Sequence, residues 1–301
     1  MLGAICGDVI GSIYEFNNTK NYHFPLLTKE STYTDDSILT AAVAMWVYTD
    51  NTHSYDSLER TLRKIALSSD FENPMGGYGS GFLTWLNDPY GCALPKYVQH
   101  NIKDLPEPVY QWGRPYNSCG NGSAMRVSSV GWFYDTLEET EYVAGISARI
   151  THSHPEGIKG AQAIAAAIWL ARTGKSKEEI KEYIVLKYGY DLSKDWKYWH
   201  KSYRWDGTCQ GTVPQALICF FESKDYIDAV RKAVSLGGDS DTLACITGSV
   251  AEAYYGGVPD VLLNKILPKV NQRIKDIVRG FAYCAKQYDK ILSVRAKELL
   301  K

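Results

Sequence analysis

The chain has 301 residues, 45% of them hydrophobic, and is long enough to bury a large core in one big domain or two ordinary ones. Its formal net charge of -1 excludes a sequence-wide attraction to nucleic acid or anionic lipid, so bulk binding to either is not expected.

The seven cysteines are scattered and never spaced C-x-x-C, which signals neither a disulfide framework nor a zinc site and favours a reducing cytoplasm. The apolar run 2–13 contains Asp8, is too short to span a bilayer and has no basic flank, so we expect no membrane span and no targeting segment.

Apolar residues recur at helical spacing along most of the chain, whereas sustained strand alternation is missing. Beyond a first helix near residue 2, the segments with this spacing are 38–46, 58–67, 127–133, 158–170, 180–186, 213–221, 227–236, 243–254 and 261–300. Glycine and proline clusters at 73–77, 87–91, 105–115 and 237–238 interrupt the pattern as loops do. The sequence therefore predicts an all-α protein.

The first helix carries Gly3, Gly7 and Gly11 four residues apart, and this spacing places them on one face. Glycine lowers helix stability, so we expect a neighbouring helix to pack closely against that face and offset the loss. Because no linker, low-complexity tract or repeat divides the chain, we predict a single domain over residues 1–301.

Two acidic clusters, residues 34–36 (Thr-Asp-Asp) and 239–242 (Asp-Ser-Asp-Thr), each open an alanine-containing helix about 200 residues apart. Thr, Ser and Asp are preferred helix caps, so capping explains one oxygen at each helix start. Each cluster, however, offers two carboxylates plus hydroxyls, and their mutual repulsion is relieved only by a cation. Oxygen-only ligands suit Mg²⁺ or Ca²⁺ rather than zinc or copper, and Mg²⁺ is the first choice, with four carboxylates for two ions.

The segment Gly120-Asn121-Gly122 precedes a predicted helix, where backbone N–H groups bind phosphate readily. The same Gly-Asn-Gly turn is also an ordinary helix entry. The glycine-rich stretch 76–81 can bring backbone close to a ligand, and we interpret it as a wall of the site or as a flexible loop.

Five motifs in order along the chain resemble the ADP-ribosylglycohydrolase family, which includes the dinitrogenase-reductase-activating glycohydrolase and the ADP-ribosylarginine and ADP-ribosylserine hydrolases. The motifs are 3–15 (GAICGDVIGSIYE), 34–36 (TDD), 120–126 (GNGSAMR), 151–152 (TH) and 238–242 (GDSDT). The resemblance runs from about residue 2 to residue 258 and implies a compact orthogonal multi-helix bundle with two Mg²⁺ ions. Where the family often has a second threonine after Thr-Asp-Asp, this chain has Ser37, which retains a hydroxyl.

The resemblance also implies roles for individual residues. The implied metal ligands are Thr34, Asp35, Asp36, Asp239, Asp241 and Thr242. The implied catalytic residues are Asp35, Asp36, Asp239, Asp241 and, as a residue that can gate the cleft, Glu15. The implied substrate-binding residues are Gly120, Asn121, Gly122, Ser123, Met125 and His152. For Arg126, a position inside a predicted helix favours a structural ion pair over a contact with pyrophosphate.

The function implied is hydrolysis of the N- or O-glycosidic bond between ADP-ribose and an acceptor, with the ions orienting the ribose hydroxyls and activating water. The expected partner is an ADP-ribosylated protein or a small ADP-ribose conjugate, with arginine and serine ranked equally as acceptors ahead of a nucleobase. A module that binds ADP-ribose without turnover remains an alternative. A crystallin-like structural role is disfavoured because all six ligand positions are filled, and a His-Asp phosphohydrolase because no histidine precedes an aspartate.

Overall fold

Helices account for nearly all the regular structure of the protein. The computed structural model describes residues 1–71, 77–87 and 115–301, and seventeen α-helices lie in these ranges. They are α1 Leu2–Gly11, α2 Asp35–Thr49, α3 Tyr55–Ala66, α4 Ser80–Asn87, α5 Gly122–Met125, α6 Ser128–Phe133, α7 Leu137–Arg149, α8 Pro155–Arg172, α9 Lys177–Tyr188, α10 Trp196–Ser202, α11 Cys209–Phe221, α12 Tyr226–Ser235, α13 Ser240–Tyr255, α14 Asp260–Ile266, α15 Gln272–Cys284, α16 Lys286–Ile291 and α17 Val294–Leu299. Within the same ranges no β-strand forms, and a single isolated bridge pairs Gly120 with Thr208. The all-α prediction is confirmed.

Helix α13 occupies the centre of the molecule. It packs against α1, α8, α11 and α12, and its residues 240–253 are all buried. Helix α1 is buried along its whole length as well. A helix that is buried on every side lies inside a core rather than on its surface. The core is therefore built around the α1–α13 pair.

The predicted close approach of a helix to the glycine face of α1 is confirmed. A Cβ atom on Gly3, Gly7 or Gly11 would overlap the backbone of α13 near Gly248, Ala244 or Asp241, respectively. Only glycine allows this approach, because any side chain would push the two helices apart. The packing sets the end of α1 beside the start of α13.

The structure differs from the sequence prediction at several helices. Helices α4, α7 and α10 were not predicted, although Thr136 caps α7 and is followed by two glutamates, which is a helix-start pattern. The predicted segment 261–300 is four helices. Pro268 and the cap residue Asn271 separate the first two, and the helical run is broken again at Ala285 and at the cap residue Ser293. The predicted loops at 73–77, 87–91 and 105–115 lie mostly outside the described residues. No helix in the described ranges is both long enough and apolar enough to cross a bilayer.

Candidate active site

The first acidic cluster lies at the start of α2. Thr34 is the N-cap residue, and its hydroxyl oxygen accepts a hydrogen bond from the Asp36 backbone N–H at 3.3 Å. One hydroxyl thus caps the helix, and the carboxylates of Asp35 and Asp36 are not needed for that purpose. Asp36 Oδ1 is buried and has no hydrogen-bond partner. Capping accounts for Thr34 and leaves the two aspartates unexplained.

Asp8 of helix α1, which was not predicted as part of the site, holds the start of α2 in place. Its carboxylate accepts bonds from the backbone N–H groups of Thr34 (2.9 Å) and Ser37 (3.1 Å) and from both of their hydroxyls. Burial raises the pKa of Asp8 to about 6, although these four donors act in the opposite direction. The sequence carried one signal for this role, since Asp8 is the only charged residue of an otherwise apolar helix.

The second cluster is reached through two glycines in the left-handed region, Gly237 (φ +70°) and Gly238 (φ +76°). Asp239 is the N-cap residue of α13 but makes no side-chain capping bond. Its Oδ2 instead accepts a hydrogen bond from Asn121 Nδ2 at 2.7 Å. The Asn18 side chain bonds both backbone groups of Gly238, at 2.7 and 2.9 Å. This helix start is held by amides from distant parts of the chain.

The two clusters meet across a sequence separation of 206 residues. Thr242 Oγ1 donates to Asp36 Oδ2 at 3.3 Å. Carboxylate oxygens of Glu15, Asp239 and Asp241 all lie within 4.8 Å of one another, a spacing at which one metal ion could contact all three. The structure therefore brings Glu15 into the same acidic group as both clusters.

The acidic group carries unbalanced negative charge. Burial, followed by repulsion from neighbouring carboxylates, raises the pKa of Glu15 and of Asp35 to about 7. The same causes raise the pKa of Asp36 and Asp241 well above the usual range. No lysine or arginine in the described ranges forms an ion pair with any of these groups. Glu15 Oε2, like Asp36 Oδ1, is buried without a partner. Unpartnered oxygens among repelling carboxylates fit a bound cation.

A cavity of about 310 Å³ opens over the acidic group. The predicted site residues that line it are Glu15, Asp35, Asp36, Gly120, Asn121, Gly122, Met125, His152, Asp239, Asp241 and Thr242. Thr34 and Ser123 do not line it. Residues 77 and 79–81 of the glycine-rich stretch also face the cavity, while Gly76 lies outside the described residues. Tyr116 and Trp205 also line the cavity and were not predicted.

The Gly-Asn-Gly loop lies at the cavity as predicted, but its chemistry differs in two respects. The helix that follows it, α5, has four residues, so its dipole attracts an anion less than a long helix would. The side chains of Asn121 and Ser123 bond the protein itself. Asn121 Nδ2 donates to Asp239 and Thr212, and Ser123 Oγ donates to the Gly157 carbonyl at 2.7 Å. Asn121 thus links the loop to the second acidic cluster.

His152 and Arg126 lie side by side at the edge of the cavity. His154, two residues further on, caps α8 with its ring nitrogen, so His152 is not needed as a helix cap. His152 Nδ1 lies 2.7 Å from the Thr151 hydroxyl. The ion-pair prediction for Arg126 is wrong. Its fully buried guanidinium donates to the Ser147 carbonyl and to Thr151 Oγ1, each at 2.8 Å, and no described acidic side chain pairs with it.

Comparisons with known proteins show which family the chain resembles. The family model described as ADP-ribosylglycohydrolase matches residues 1–290. The human "ADP-ribosylhydrolase ARH3" is 25% identical over 318 residues, covering 85% of this chain and 84% of the relative. The "ADP-ribosylarginine hydrolase Tri1" of Pseudomonas putida is 24% identical over 306 residues, covering 97% and 79%.

The fold has a counterpart among solved structures. A chain of an "ADP-ribosylglycohydrolase-related protein complex" superposes with a TM-score of 0.64 at 20% identity, and the match covers 96% of this chain and 95% of that one. This likeness supports the fold, and the family model supports membership. The chain therefore belongs to the ADP-ribosylglycohydrolase family of glycosidic-bond hydrolases.

Proposed function

We propose that this protein hydrolyses the glycosidic bond between ADP-ribose and an arginine or serine side chain, releasing free ADP-ribose, and that it uses two Mg²⁺ ions. One observation carries the proposal above the rest. The Asn121–Asp239 hydrogen bond joins the loop predicted to bind a diphosphate directly to the carboxylates predicted to bind a metal. This contact supports a single cavity for both ligands.

The residues that would hold the ions are Thr34, Asp35 and Asp36 on one side and Asp239, Asp241 and Thr242 on the other. All six offer oxygen, and none of the nitrogen or sulfur ligands that zinc or copper prefer is among them, which favours Mg²⁺. When bound, the ions would supply Lewis-acid chemistry that orients the ribose hydroxyls and makes water more acidic. Four carboxylates could neutralise two divalent ions.

The side chains of the protein have separate tasks in this proposal. Cleavage at the ribose C1 develops positive charge on the sugar, and the surrounding carboxylates stabilise that charge. Glu15 Oε2, which has no hydrogen-bond partner, is the oxygen that we assign to accept a proton from the attacking water. The glycine-rich wall and the Gly-Asn-Gly loop hold ADP-ribose and fix its C1 over the acidic group.

Glu15 can be tested separately from the metal ligands. A general base contributes about 10²- to 10⁴-fold to a rate, so Glu15→Gln should lower kcat in that range while Mg²⁺ binding is largely kept. A residue that only gates the cleft would change KM more than kcat. Steady-state kinetics of Glu15→Gln and Glu15→Asp at saturating Mg²⁺ distinguish these two roles.

The described cysteines are all unpaired, and on that basis we also propose that the protein works in the cytoplasm. Its partners there would be ADP-ribosylated proteins or small ADP-ribose conjugates.

The decisive experiment incubates the protein with Mg²⁺ and with arginine-, serine- and nucleobase-linked ADP-ribose, and measures free ADP-ribose. We expect release from an arginine or serine conjugate and loss of activity after metal removal. Binding of ADP-ribose without release from any substrate would instead identify a reader, and full activity after exhaustive chelation would contradict the metal assignment.

A further inference from the structure

The two ring nitrogens of His152 have different surroundings. Nδ1 faces the protein and lies 2.7 Å from Thr151 Oγ1. Nε2 has no hydrogen-bond partner among the described residues and faces the Gly-Asn-Gly loop, where a Cβ atom on Gly122 would lie 3.1 Å from it. His152 is 5% exposed and lines the cavity. Whichever ring nitrogen carries the proton therefore decides what the cavity presents to a ligand.

The proton positions follow from the donors in contact with Thr151. An arginine side chain can only donate, so the 2.8 Å contact between Arg126 Nη2 and Thr151 Oγ1 makes the threonine oxygen an acceptor. Thr151 is fully buried, and its own hydroxyl hydrogen needs an acceptor. His152 Nδ1 is the one side-chain or backbone acceptor that the described structure places on that hydroxyl. The hydroxyl therefore donates to Nδ1, and the ring proton is on Nε2.

The two other protonation states conflict with this environment. A proton on Nδ1 would leave the buried hydroxyl hydrogen of Thr151 without a partner. A doubly protonated ring would place a second positive charge beside the Arg126 guanidinium in a buried site. Burial, and then the charge of Arg126, hold the pKa of His152 well below its usual range. Of the three states, only the neutral ring with Nε2–H gives the Thr151 hydroxyl hydrogen an acceptor without adding a buried charge.

We infer that Arg126, acting through the Thr151 hydroxyl, fixes His152 as a neutral imidazole that presents Nε2–H to an anionic oxygen of the ligand. Arg126 and Thr151 are positioning residues, since neither is needed as a direct ligand contact in this role. The inference gives a reason for a fully buried arginine that lacks an acidic partner. The identity of the anionic oxygen, a phosphate of ADP-ribose, rests on the proposed function.

The first test needs no substitution. In ¹⁵N-histidine-labelled protein without ligand, long-range ¹H–¹⁵N correlations distinguish the two neutral tautomers and the charged ring. The chain has six histidines, and the spectrum of His152→Gln assigns the signal of His152. We expect the Nε2–H tautomer, unchanged between about pH 6 and pH 8. An Nδ1–H tautomer or a charged ring at pH 7 would overturn the inference.

Matched variants then test the two positioning residues. Thr151→Val keeps the side-chain shape but removes the hydroxyl, whereas Thr151→Ser keeps the hydroxyl. In Thr151→Val no hydroxyl holds Nδ1 as an acceptor, so we expect the ring to populate both neutral tautomers and ADP-ribose to bind about 10-fold more weakly in calorimetry, with Thr151→Ser close to wild type. Arg126→Met frees the threonine oxygen to accept from Nδ1–H, so the Nδ1–H tautomer should appear in that variant too. An unchanged tautomer in both Thr151→Val and Arg126→Met would refute the positioning role.

The readouts separate this inference from the proposed function. The tautomer is measured without ligand, so it does not depend on what the cavity binds. Wild-type protein with the Nε2–H tautomer that fails to bind ADP-ribose in the presence of Mg²⁺ would contradict the proposed ligand and support the positioning role. Circular dichroism of each variant confirms that the helical fold is intact before its tautomer is interpreted.

Discussion

The two acidic clusters have nearly the same sequence pattern but are held in different ways. The start of α2 is capped by Thr34 and anchored by one carboxylate, Asp8, from the adjacent helix α1. The start of α13 has no side-chain cap and is anchored by the amides of Asn18 and Asn121, with two left-handed glycines before it. A negative group supports one cluster and neutral groups support the other.

This difference shows what the two supports have in common. Neither brings a positive charge into contact with the carboxylates of Asp35, Asp36, Asp239 or Asp241. A lysine or arginine would fix the geometry equally well, but it would neutralise the charge that a metal ion requires. The supports position the ligands and leave their charge available, and the following experiments test that interpretation.

The largest effect is expected from the carboxylates themselves. Asp241→Asn should lower the hydrolytic rate by about 1,000-fold, the equivalent of about 4 kcal/mol, because one charged ligand is lost. Asp195→Asn is the matched control, since Asp195 also begins a helix and caps it at 2.8 Å but lies outside the cavity lining. Initial rates at saturating Mg²⁺ measure both variants. Near wild-type activity in Asp241→Asn would remove this carboxylate from the mechanism.

The glycine before the second cluster should show the next largest effect. Gly238→Ala places a Cβ 2.8 Å from Tyr203 Cε1 in a backbone with φ +76°. Gly256 has the same φ of +76° and nothing within 4 Å, so Gly256→Ala isolates the backbone strain. We expect a loss of about 1 kcal/mol for Gly256→Ala and about 3 kcal/mol for Gly238→Ala in urea unfolding. Equal losses would mean that the loop moves freely to accommodate the side chain.

Removing the charged support of the first cluster should weaken metal binding. In Asp8→Asn, one acceptor oxygen becomes an N–H₂ group that faces the donors of Thr34 and Ser37, so the start of α2 must shift. Groups that orient metal ligands typically contribute 10- to 100-fold to affinity, and we expect a loss of about that size for Mg²⁺ in calorimetry. Asp228→Asn, at another buried acid outside the cavity lining, should leave the affinity unchanged.

The last effect concerns the stability of the metal-free protein. The pKa of Glu15 and of Asp35 is about 7 in the folded protein, whereas an unfolded chain has values near 4. Between these values the folded state binds more protons than the unfolded state, so stability falls as pH rises from about 4 to about 7. The Tm of EDTA-treated protein should therefore be lower at pH 8 than at pH 5.

Mg²⁺ should counteract the fall in stability with rising pH, because the ion takes the place of the protons on the buried carboxyl groups. We expect its addition to raise the Tm by several degrees at pH 8 and by less at pH 5, and Asp36→Asn to flatten both responses. Differential scanning fluorimetry with a Ca²⁺ comparison measures these changes. A Tm of EDTA-treated protein that rises toward pH 8 would show that the acidic group does not control the stability of the metal-free fold.

The sequence predicted those features that depend on local patterns. The oxygen-rich helix starts, the Gly-Asn-Gly turn and the glycine face of α1 are each read from neighbouring residues, and all lie where the patterns indicated. The roles of Asp8 and Arg126 could not be obtained in this way, because each depends on partners from other helices. The apolar neighbours of Asp8 indicate that its carboxylate is buried, and Arg126 follows the Gly-Asn-Gly turn. The sequence does not show which donors or acceptors surround either side chain.

The packing of α1 against α13 has a consequence for the synthesis of the protein. Helix α1 ends at residue 11 and α13 begins at residue 240, so on the order of 10–50 s of translation separates them. During this interval the glycine face of α1 lacks its partner helix, and the cavity has three of its five carboxylates. A nascent chain that stops before α13 exposes a buried helix to chaperones and to aggregation. The active site is therefore completed late in synthesis, when α13 packs against α1 and brings in the second acidic cluster.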